Sequence, residues 1–512
     1  MRILFVYPLL TKFVSPFRGI TLPVSVLQVA SFVQAKGHTV QIADRNVQGA
    51  ASCKRIERFK PDAIAFTVMF THQIQDFIAE SNAIRRKYPE LPILSGGLTA
   101  TLLAESIIKD GNADYVGLNE GEYTLLELLE VISGKRTPDT VQSLVYRTPD
   151  GEIVQTAQRS FVDLADFPLA DYSLLPMDKY AASYPGVSRA FPVIASKGCP
   201  AACTFCVSKA YNRGCCRQRS RESVMQEIRT LVTEYDADGI IFYDETFGVD
   251  KAALEGHCAD FIALRTESGK PIKWLCESRI GVLTRDDLDR MANAGCIMIQ
   301  FGIENGSPEI LQRIKKGYNP AKVETDIRNC KSSGIRPLTS LILGFPDETE
   351  AQIRQTIHLI FRLNTETYSA GYYYASLCSE DYNRLVAERR LVPVQSLSKH
   401  KKTGNRYSVD TNYAAIPTKE LKVIFSFFNW VAVFHKQVAA TDKGLYLLRT
   451  AIPNILRNIR KGGFLLDCFQ MLLIFLNAAW CIHAYPQIRN KYDLYSGNFG
   501  RADWSDLAYM DE

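Results

Sequence analysis

Twice along this chain, short unbroken apolar runs alternate with stretches of helical periodicity, and this alternation restricts the fold more than any other feature. Residues 3–7 are apolar throughout, as in a strand buried on both faces of a sheet. Pro23 opens a helix in which Val26, Ala30 and Val33 recur at helical spacing, and Gly37 suits its C-terminal cap. Further strands are expected at 39–43, 63–68, 92–94 and 114–116, with a helix from Thr124. Strands alternating with helices predict a doubly wound, Rossmann-like parallel sheet over residues 1–140. Ligands of such α/β sheets sit at the carboxyl ends of the strands. Here those ends read Tyr7-Pro8, Ser95-Gly96-Gly97 and Leu118-Asn119-Glu120-Gly121-Glu122.

Residues 141–188 break the pattern. Thr148-Pro149-Asp150-Gly151 is a turn between two short strand-like runs, so a linker containing a hairpin is expected. The second series starts near Phe191, with strands predicted at 192–195, 239–243, 272–276, 298–303, 339–343 and a last one at 371–376. Helical stretches at 221–234, 251–267, 285–294, 308–315 and 320–333 separate them. This series suits a partial or full parallel β/α barrel over 189–375, with its chemistry at the C-terminal strand ends. Residues 376–512 read as a mainly helical region on the substrate side.

Lys and Arg number 60 against 55 Asp and Glu, an excess of +5 over 512 residues that carries no nucleic-acid signal. The start, MRILFVYP, runs straight into a strand pattern without the layout of a secretory signal. A cytoplasmic protein is therefore expected, whose 13 cysteines are thiols or metal ligands rather than disulfides. Between Asp467 and Arg489 there is no Asp, Glu, Lys or Arg, but Gln470, Asn477, His483, Pro486 and Gln487 interrupt the apolar run. A spanning helix needs about 20 mostly apolar residues, so a buried core helix fits better. The alternative is membrane-surface association through an interfacial helix, helped by Arg449, Arg457, Arg460 and Lys461.

The densest chemistry follows the first strand of the second series. Ser196-Lys197-Gly198-Cys199-Pro200-Ala201-Ala202-Cys203-Thr204-Phe205-Cys206 has the spacing C-x3-C-x2-C. Thiolates are the ligands that iron–sulfur clusters require, and three from one loop can hold three irons of a [4Fe-4S] cluster. The fourth iron is then open to a small molecule carrying an amine and a carboxylate. A structural zinc site is the alternative. It wants four ligands, and Cys215 or Cys216 could supply the fourth, although zinc loops usually repeat C-x2-C pairs.

With Phe205 before the third cysteine, this loop resembles the C-x3-C-x-aromatic-C signature of the radical S-adenosylmethionine (radical SAM) enzymes. The resemblance implies that Cys199, Cys203 and Cys206 hold a [4Fe-4S] cluster whose open iron chelates S-adenosylmethionine. One electron, from a donor such as flavodoxin or ferredoxin, would then cleave it to methionine and a 5′-deoxyadenosyl radical. By the same resemblance Asp244 or Glu245 accepts from the methionine ammonium, although two carboxylates at a strand end are otherwise a solvated turn or helix cap. Arg279 pairs with the methionine carboxylate, and Glu277 or Ser278 contacts the ribose. Gly302 admits the cofactor to the backbone, and Ile303 packs on adenine. Gly344-Phe345-Pro346-Asp347-Glu348-Thr349 matches the family's G-F-P-x-E-T turn, to which no chemistry is assigned.

A doubly wound domain ahead of such a barrel resembles the cobalamin-binding class of this family. Tyr7, Pro8, Ser95, Gly96, Gly97, Glu120, Gly121 and Glu122 then cradle the corrin. The implied activity is methylation of an unactivated carbon of a small-molecule or lipid-like substrate through methylcobalamin. A radical SAM oxidative cyclase or rearrangement enzyme is the first alternative, and a non-catalytic metal-binding sensor the second. Two departures stand out. The D-x-H-x-x-G motif of classical cobalamin enzymes is absent after the first strand, where Tyr7-Pro8-Leu9-Leu10-Thr11 has no His; Asp44 to Gly49 mimics its spacing with Asn46 in place of His. The P-G-T turn common after the last barrel strand is replaced by Cys378-Ser379-Glu380.

Overall fold

The computed structural model describes residues 1–10, 22–49, 52–184, 186–365, 367–397, 411–434, 488 and 491–492. Its first sheet contains β1 (Arg2–Tyr7), β2 (Thr39–Asp44), β3 (Ala63–Thr67), β4 (Ile93–Gly96), β5 (Tyr115–Gly117), β6 (Leu144–Arg147) and β7 (Ile153–Gln155). The strand order is β2-β1-β3-β4-β5-β6-β7, parallel from β2 to β5. The topological switch therefore lies between β1 and β3, where doubly wound sheets open a crevice. In β1 every residue after Arg2 is buried, because helices cover both faces of the sheet. One of these, Glu122–Ile132, buries Leu125, Leu128 and Leu129 at the three-to-four spacing of an amphipathic helix. β6 and β7 form the hairpin expected in the linker, but β6 pairs antiparallel onto β5, so the hairpin extends the first sheet.

The second sheet contains β8 (Ala182–Tyr184) and β9 (Val187–Val193). Past a two-stranded ribbon of β10 (Ser196–Lys197) and β11 (Arg217–Gln218) it continues through β12 (Gly239–Phe242), β13 (Lys273–Ser278), β14 (Cys296–Glu304), β15 (Arg336–Leu343) and β16 (Thr367–Tyr372). Its order is β16-β15-β14-β13-β12-β9-β8, all parallel except the β8–β9 hairpin. This is an open, partial barrel. The last strand begins earlier than the 371–376 expected and ends at Tyr372. The tyrosine run Tyr372-Tyr373-Tyr374 therefore straddles the strand end and leaves Tyr374 exposed.

Beneath the second sheet, Phe242, Phe247, Phe261 and Trp274 form an aromatic core in which Phe261 stacks on Trp274 at 5.4 Å. Each such side chain contributes about 1.5–3 kcal/mol by leaving water, and the Trp274 indole N–H is satisfied by the Ala294 carbonyl at 2.9 Å.

Segment 156–181 stitches the two sheets together. Asp171 N–H donates to Ser31 Oγ at 2.8 Å, and the Asp171 carboxylate accepts from Gln34 at 3.1 Å. Nearby, Tyr172 donates to Glu227 at 2.6 Å and Tyr180 to the buried Asp44 at 2.9 Å. One short segment thus binds a helix of the first domain, the end of β2 and a helix of the barrel.

Asp44 to Gly49 has its own structural account. Asp44 caps the short helix Arg45–Gln48 by accepting from Asn46 N–H, and Gly49 closes it at φ +59°. Beyond the barrel, the helix Thr418–Phe434 lies against β16, with Phe425 stacked on Tyr372 at 4.1 Å. No helix among the described residues is long and apolar enough to cross a membrane. The apolar stretch before Arg489 lies outside the described residues apart from Ile488.

Candidate active site between two facing sheets

The cysteine loop hangs from the β10–β11 ribbon, in which Lys197 opposes Arg217. Gly198 starts it at φ +96°, and a Cβ there would stand 2.0 Å from the Cys215 carbonyl oxygen, so only glycine fits. Asp244 and Glu245, one of which was expected to meet the methionine ammonium of S-adenosylmethionine, both bond to this loop. Buried Asp244 accepts from Ala195 N–H at 2.8 Å and from Ser196 Oγ at 2.5 Å. Burial pushes its pKa up to about 7. Glu245 accepts from Gly198 N–H at 2.7 Å and from Asn212 at 3.0 Å.

The three thiols line the same loop. Cys199 Sγ meets Thr246 Oγ1 at 3.2 Å, and Cys206 Sγ accepts from Ser208 N–H at 3.4 Å. Arg279 donates toward Cys203 Sγ at 3.8 Å. Burial above all, with Cys203 and Cys199, pushes the Cys206 thiol up to about 11. Among the described residues no three His, Cys, Asp or Glu side chains stand close enough to share one metal ion. Three thiols on one loop suit a cluster, where each meets a different iron, whereas a closed zinc site wants a fourth ligand. Of the pair beyond them, Cys215 is exposed and Cys216 half-buried.

A group that the sequence reading missed stands beside the thiols. Lys316 is buried and pairs with Glu304 at 3.0 Å, and its ammonium lies 5.8 Å from the Phe205 ring and 5.6 Å from the Tyr318 ring. Burial opposes its charge, yet Glu304, Tyr318 and Cys203 hold its pKa above the ordinary lysine value. Tyr318 donates to the Gly302 carbonyl at 2.6 Å, and Arg279 lies 5.8 Å from the Tyr318 ring. Arg279, Phe205, Gly302, Glu304, Lys316 and Tyr318 thus form one cationic wall beside Cys203. A Lys buried in a Lys-Gly-Tyr turn after a short helix is uncommon. The available signal was Glu304 at a strand end followed by this turn.

Two expected contacts are turned away. Ser278 is buried and donates to the Phe247 carbonyl at 2.9 Å, so its hydroxyl is committed between strands. Ile303 is fully buried in the main apolar core, at the register shift of β14 against β15, rather than open to an adenine. Glu277, by contrast, is exposed on β13.

The first sheet presents a different surface. Pro8 O accepts from buried Gln73 at 3.0 Å and from Asn46 at 3.3 Å, which fixes the exit of β1. Tyr7 is buried, and burial together with Asp44 raises its pKa. Gly97 has φ +99°, and a Cβ there would stand 2.9 Å from Val68 O and 3.0 Å from Met69 Sδ. Ser95 Oγ and Glu122 Oε2 are buried with no hydrogen-bond partner. Buried polar atoms without partners at strand ends, around a turn that only glycine can make, fit a large ligand with its own amides. Glu120 and Glu122, on either side of Gly121, face the cluster ribbon: Glu120 pairs with Arg217 at 2.6 Å, and Lys197 reaches Glu120 at 3.5 Å and Glu122 at 3.6 Å.

The two sets of strand ends look at each other. Tyr211, just after the cysteine loop, donates to the Asn119 carbonyl beyond β5 at 2.8 Å, beside the Arg217–Glu120 pair. Leu9, Phe70, Tyr243 and Tyr374 are four of the six exposed large hydrophobic residues among those described, at 38, 47, 42 and 41% exposure, and each stands just past a strand. Apolar side chains left exposed just past the strands of both sheets are surface that a bound ligand would cover.

Comparison with known proteins agrees with this geometry. The model of the radical SAM superfamily matches residues 193–360, and that of the B12 binding domain matches residues 11–129. An uncharacterized methyltransferase of Pyrococcus horikoshii, PH0819, is 31% identical over 373 residues, which is 72% of this chain and 79% of that protein. The chain belongs to the B12-binding radical SAM enzymes. An anaerobic magnesium-protoporphyrin IX monomethyl ester cyclase of Rubrivivax gelatinosus is 24% identical over 70% of this chain and 65% of its own length. In fold, this B12-binding radical SAM enzyme resembles OxsB, a cobalamin-dependent S-adenosylmethionine radical enzyme solved with aqua-cobalamin bound. The TM-score is 0.70 at 15% identity, covering 96% of this chain and 80% of OxsB.

Proposed function

We propose that this chain is a cobalamin-dependent radical SAM C-methyltransferase acting on an unactivated carbon of a small molecule. The observation that carries the reading is that the three-thiol loop and the glycine turn beside unpartnered polar atoms belong to regions tied to each other through Arg217–Glu120 and Tyr211–Asn119, and the space between them is the proposed chamber. When bound, the cluster supplies the electron that cleaves S-adenosylmethionine to a hydrogen-abstracting radical, and the corrin supplies the methyl group.

The chain's own residues hold and orient these parts. Cys199, Cys203 and Cys206 are the cluster ligands. Arg279, which donates toward Cys203, takes the methionine carboxylate in this reading, a charge-assisted contact. Glu277, exposed near the end of β13, contacts the ribose, and Gly302 lets the nucleoside approach the backbone. Asp244 and Glu245 act one step back, by fixing the loop that carries Cys199. Tyr7, Pro8, Ser95, Gly96, Gly97 and Glu122 border the corrin. Tyr243 and Tyr374, exposed just past β12 and β16, offer aromatic surface for a cofactor or substrate to cover. A one-electron donor of the flavodoxin or ferredoxin type completes the requirement.

The test uses reconstituted holoenzyme, S-adenosylmethionine labelled in its methyl group, and a panel of small-molecule substrates. Label in the product is the expected result. Formation of 5′-deoxyadenosine and a product that never carries label would overturn methyl transfer and point to chemistry of the cyclase kind.

A further inference from the structure

Both strands of the β10–β11 ribbon converge on Glu120. Its carboxylate accepts both guanidinium arms of Arg217, at 2.6 and 3.1 Å, and meets Lys197 at 3.5 Å. Arg217 also donates to the Val162 carbonyl at 2.8 Å. Its guanidinium lies 4.3 Å from the Phe161 ring, and Arg213 stands 4.4 Å from that ring. Beside them Tyr211, within the cysteine loop region, donates to the Asn119 carbonyl at 2.8 Å. Asn119 is itself held at φ +61°, with its N–H on Thr101 Oγ1 at 2.9 Å.

The placement is specific. Lys197 and Arg217 are the paired residues at the end of the β10–β11 ribbon, and Lys197 is separated from Cys199 by Gly198 alone. Glu120 belongs to the turn after β5, which borders the corrin cradle. The Glu120 side chain is only 10% exposed, with Arg217 at 20% and Lys197 at 19%. A forked, partly buried pair of this kind fixes geometry in a way that open surface bridges do not.

We propose that Glu120 is a positioning residue that sets the separation between the corrin-side loop and the cluster loop. The inference rests on the cofactor reading above and adds to it the element that holds the two groups in register. Registration matters because a misplacement of 1 Å can cost about 10²-fold in rate.

The experiment is pulsed dipolar EPR on the reduced holoenzyme, which reads the distance between the reduced cluster and cob(II)alamin without turnover. Wild type is expected to give one narrow distance. Glu120→Gln keeps the shape and removes the charge; it should retain both cofactors and lose the resolved dipolar modulation. Glu120→Asp keeps the charge and should restore a single peak. A Glu120→Gln distribution as narrow as wild type, at the same distance, would overturn the proposal. Should that variant not fold, Arg217→Lys loses the fork while keeping the charge: a broadened distribution supports the proposal and an unchanged one overturns it. A purely structural role would lower the melting temperature and leave the distance in the folded holoenzyme unmoved. Wild type lacking either the corrin or the cluster spectrum would overturn the inference together with the cofactor reading, and the missing spectrum tells that failure apart.

Discussion

The two sheets end in the same chamber but offer it different things. The barrel ends in side-chain chemistry: three thiols, an arginine and a buried Lys316–Glu304 pair, nearly all tied to a neighbour. The first sheet ends in shape: a positive-φ Gly97, a pinned Pro8 carbonyl, and two buried oxygens left without partners. A site built on side chains holds a small, highly charged group. A site built on backbone and unfilled hydrogen bonds receives a large flat one that brings its own donors.

If the two sites are as independent as this contrast implies, each can be emptied without the other. The largest effect is expected from Cys203→Ala. It should lower cluster iron to background and abolish 5′-deoxyadenosine formation, while the corrin spectrum survives desalting. Loss of the corrin together with the iron would show that the cradle depends on the loop.

Lys316→Met tests the charged wall of the barrel. It leaves Glu304 buried without its cation, and breaking a buried pair costs about 3–5 kcal/mol. Urea unfolding of the cofactor-free protein should show that loss, and adding Glu304→Gln should recover most of it. A single variant as stable as wild type would mean that the pair is solvated.

Gly97→Ala carries the same question to the first sheet. The turn lies at φ +99°, a region that costs a side chain about 1–3 kcal/mol, and the new Cβ meets Val68 O and Met69 Sδ. Corrin retention should fall while iron content stays at the wild-type level. A variant that keeps the corrin would remove Gly97 from the cradle.

The same contrast explains what the sequence could disclose. Side-chain chemistry is spelled in residue types, so Cys199, Cys203 and Cys206 were singled out by their spacing, and Arg279 only through the resemblance that those cysteines carry. Both parallel sheets were legible, because buried strands must be continuous apolar runs. Direction was not legible. Ser278 and Ile303 sit on the right strands but point into the core, and a one-residue change of phase is all that separates core from chamber. Asp244 and Glu245 were found, yet whether a carboxylate meets a ligand or a backbone N–H depends on the loop folded over it. Glu120 and Glu122 were read as cradle, but their ion pairs come from a ribbon about 80–100 residues away in the chain, a partnership that local pattern cannot encode. Lys316 was passed over because a lysine after a helix is normally at the surface.

Ser95→Ala is the smallest change and the sharpest probe of the first sheet. The Ser95 hydroxyl is buried at the end of β4 and has no partner, so the cofactor-free protein gains nothing from it. Removing an unsatisfied buried hydroxyl is nearly neutral or slightly stabilising, within about 1 kcal/mol, and thermal unfolding of the two proteins should differ by no more than that. With the corrin present the expectation reverses sign. If the hydroxyl is held open for an amide of the ligand, its loss removes one hydrogen bond, worth about 0.5–1.5 kcal/mol, or up to roughly tenfold in dissociation constant. Equilibrium titration with hydroxocobalamin reads that difference. Unaltered stability with weaker corrin binding is the signature of a polar atom kept unpaired for a ligand. Unaltered binding would assign the cradle's hold on the corrin to its glycines and backbone alone.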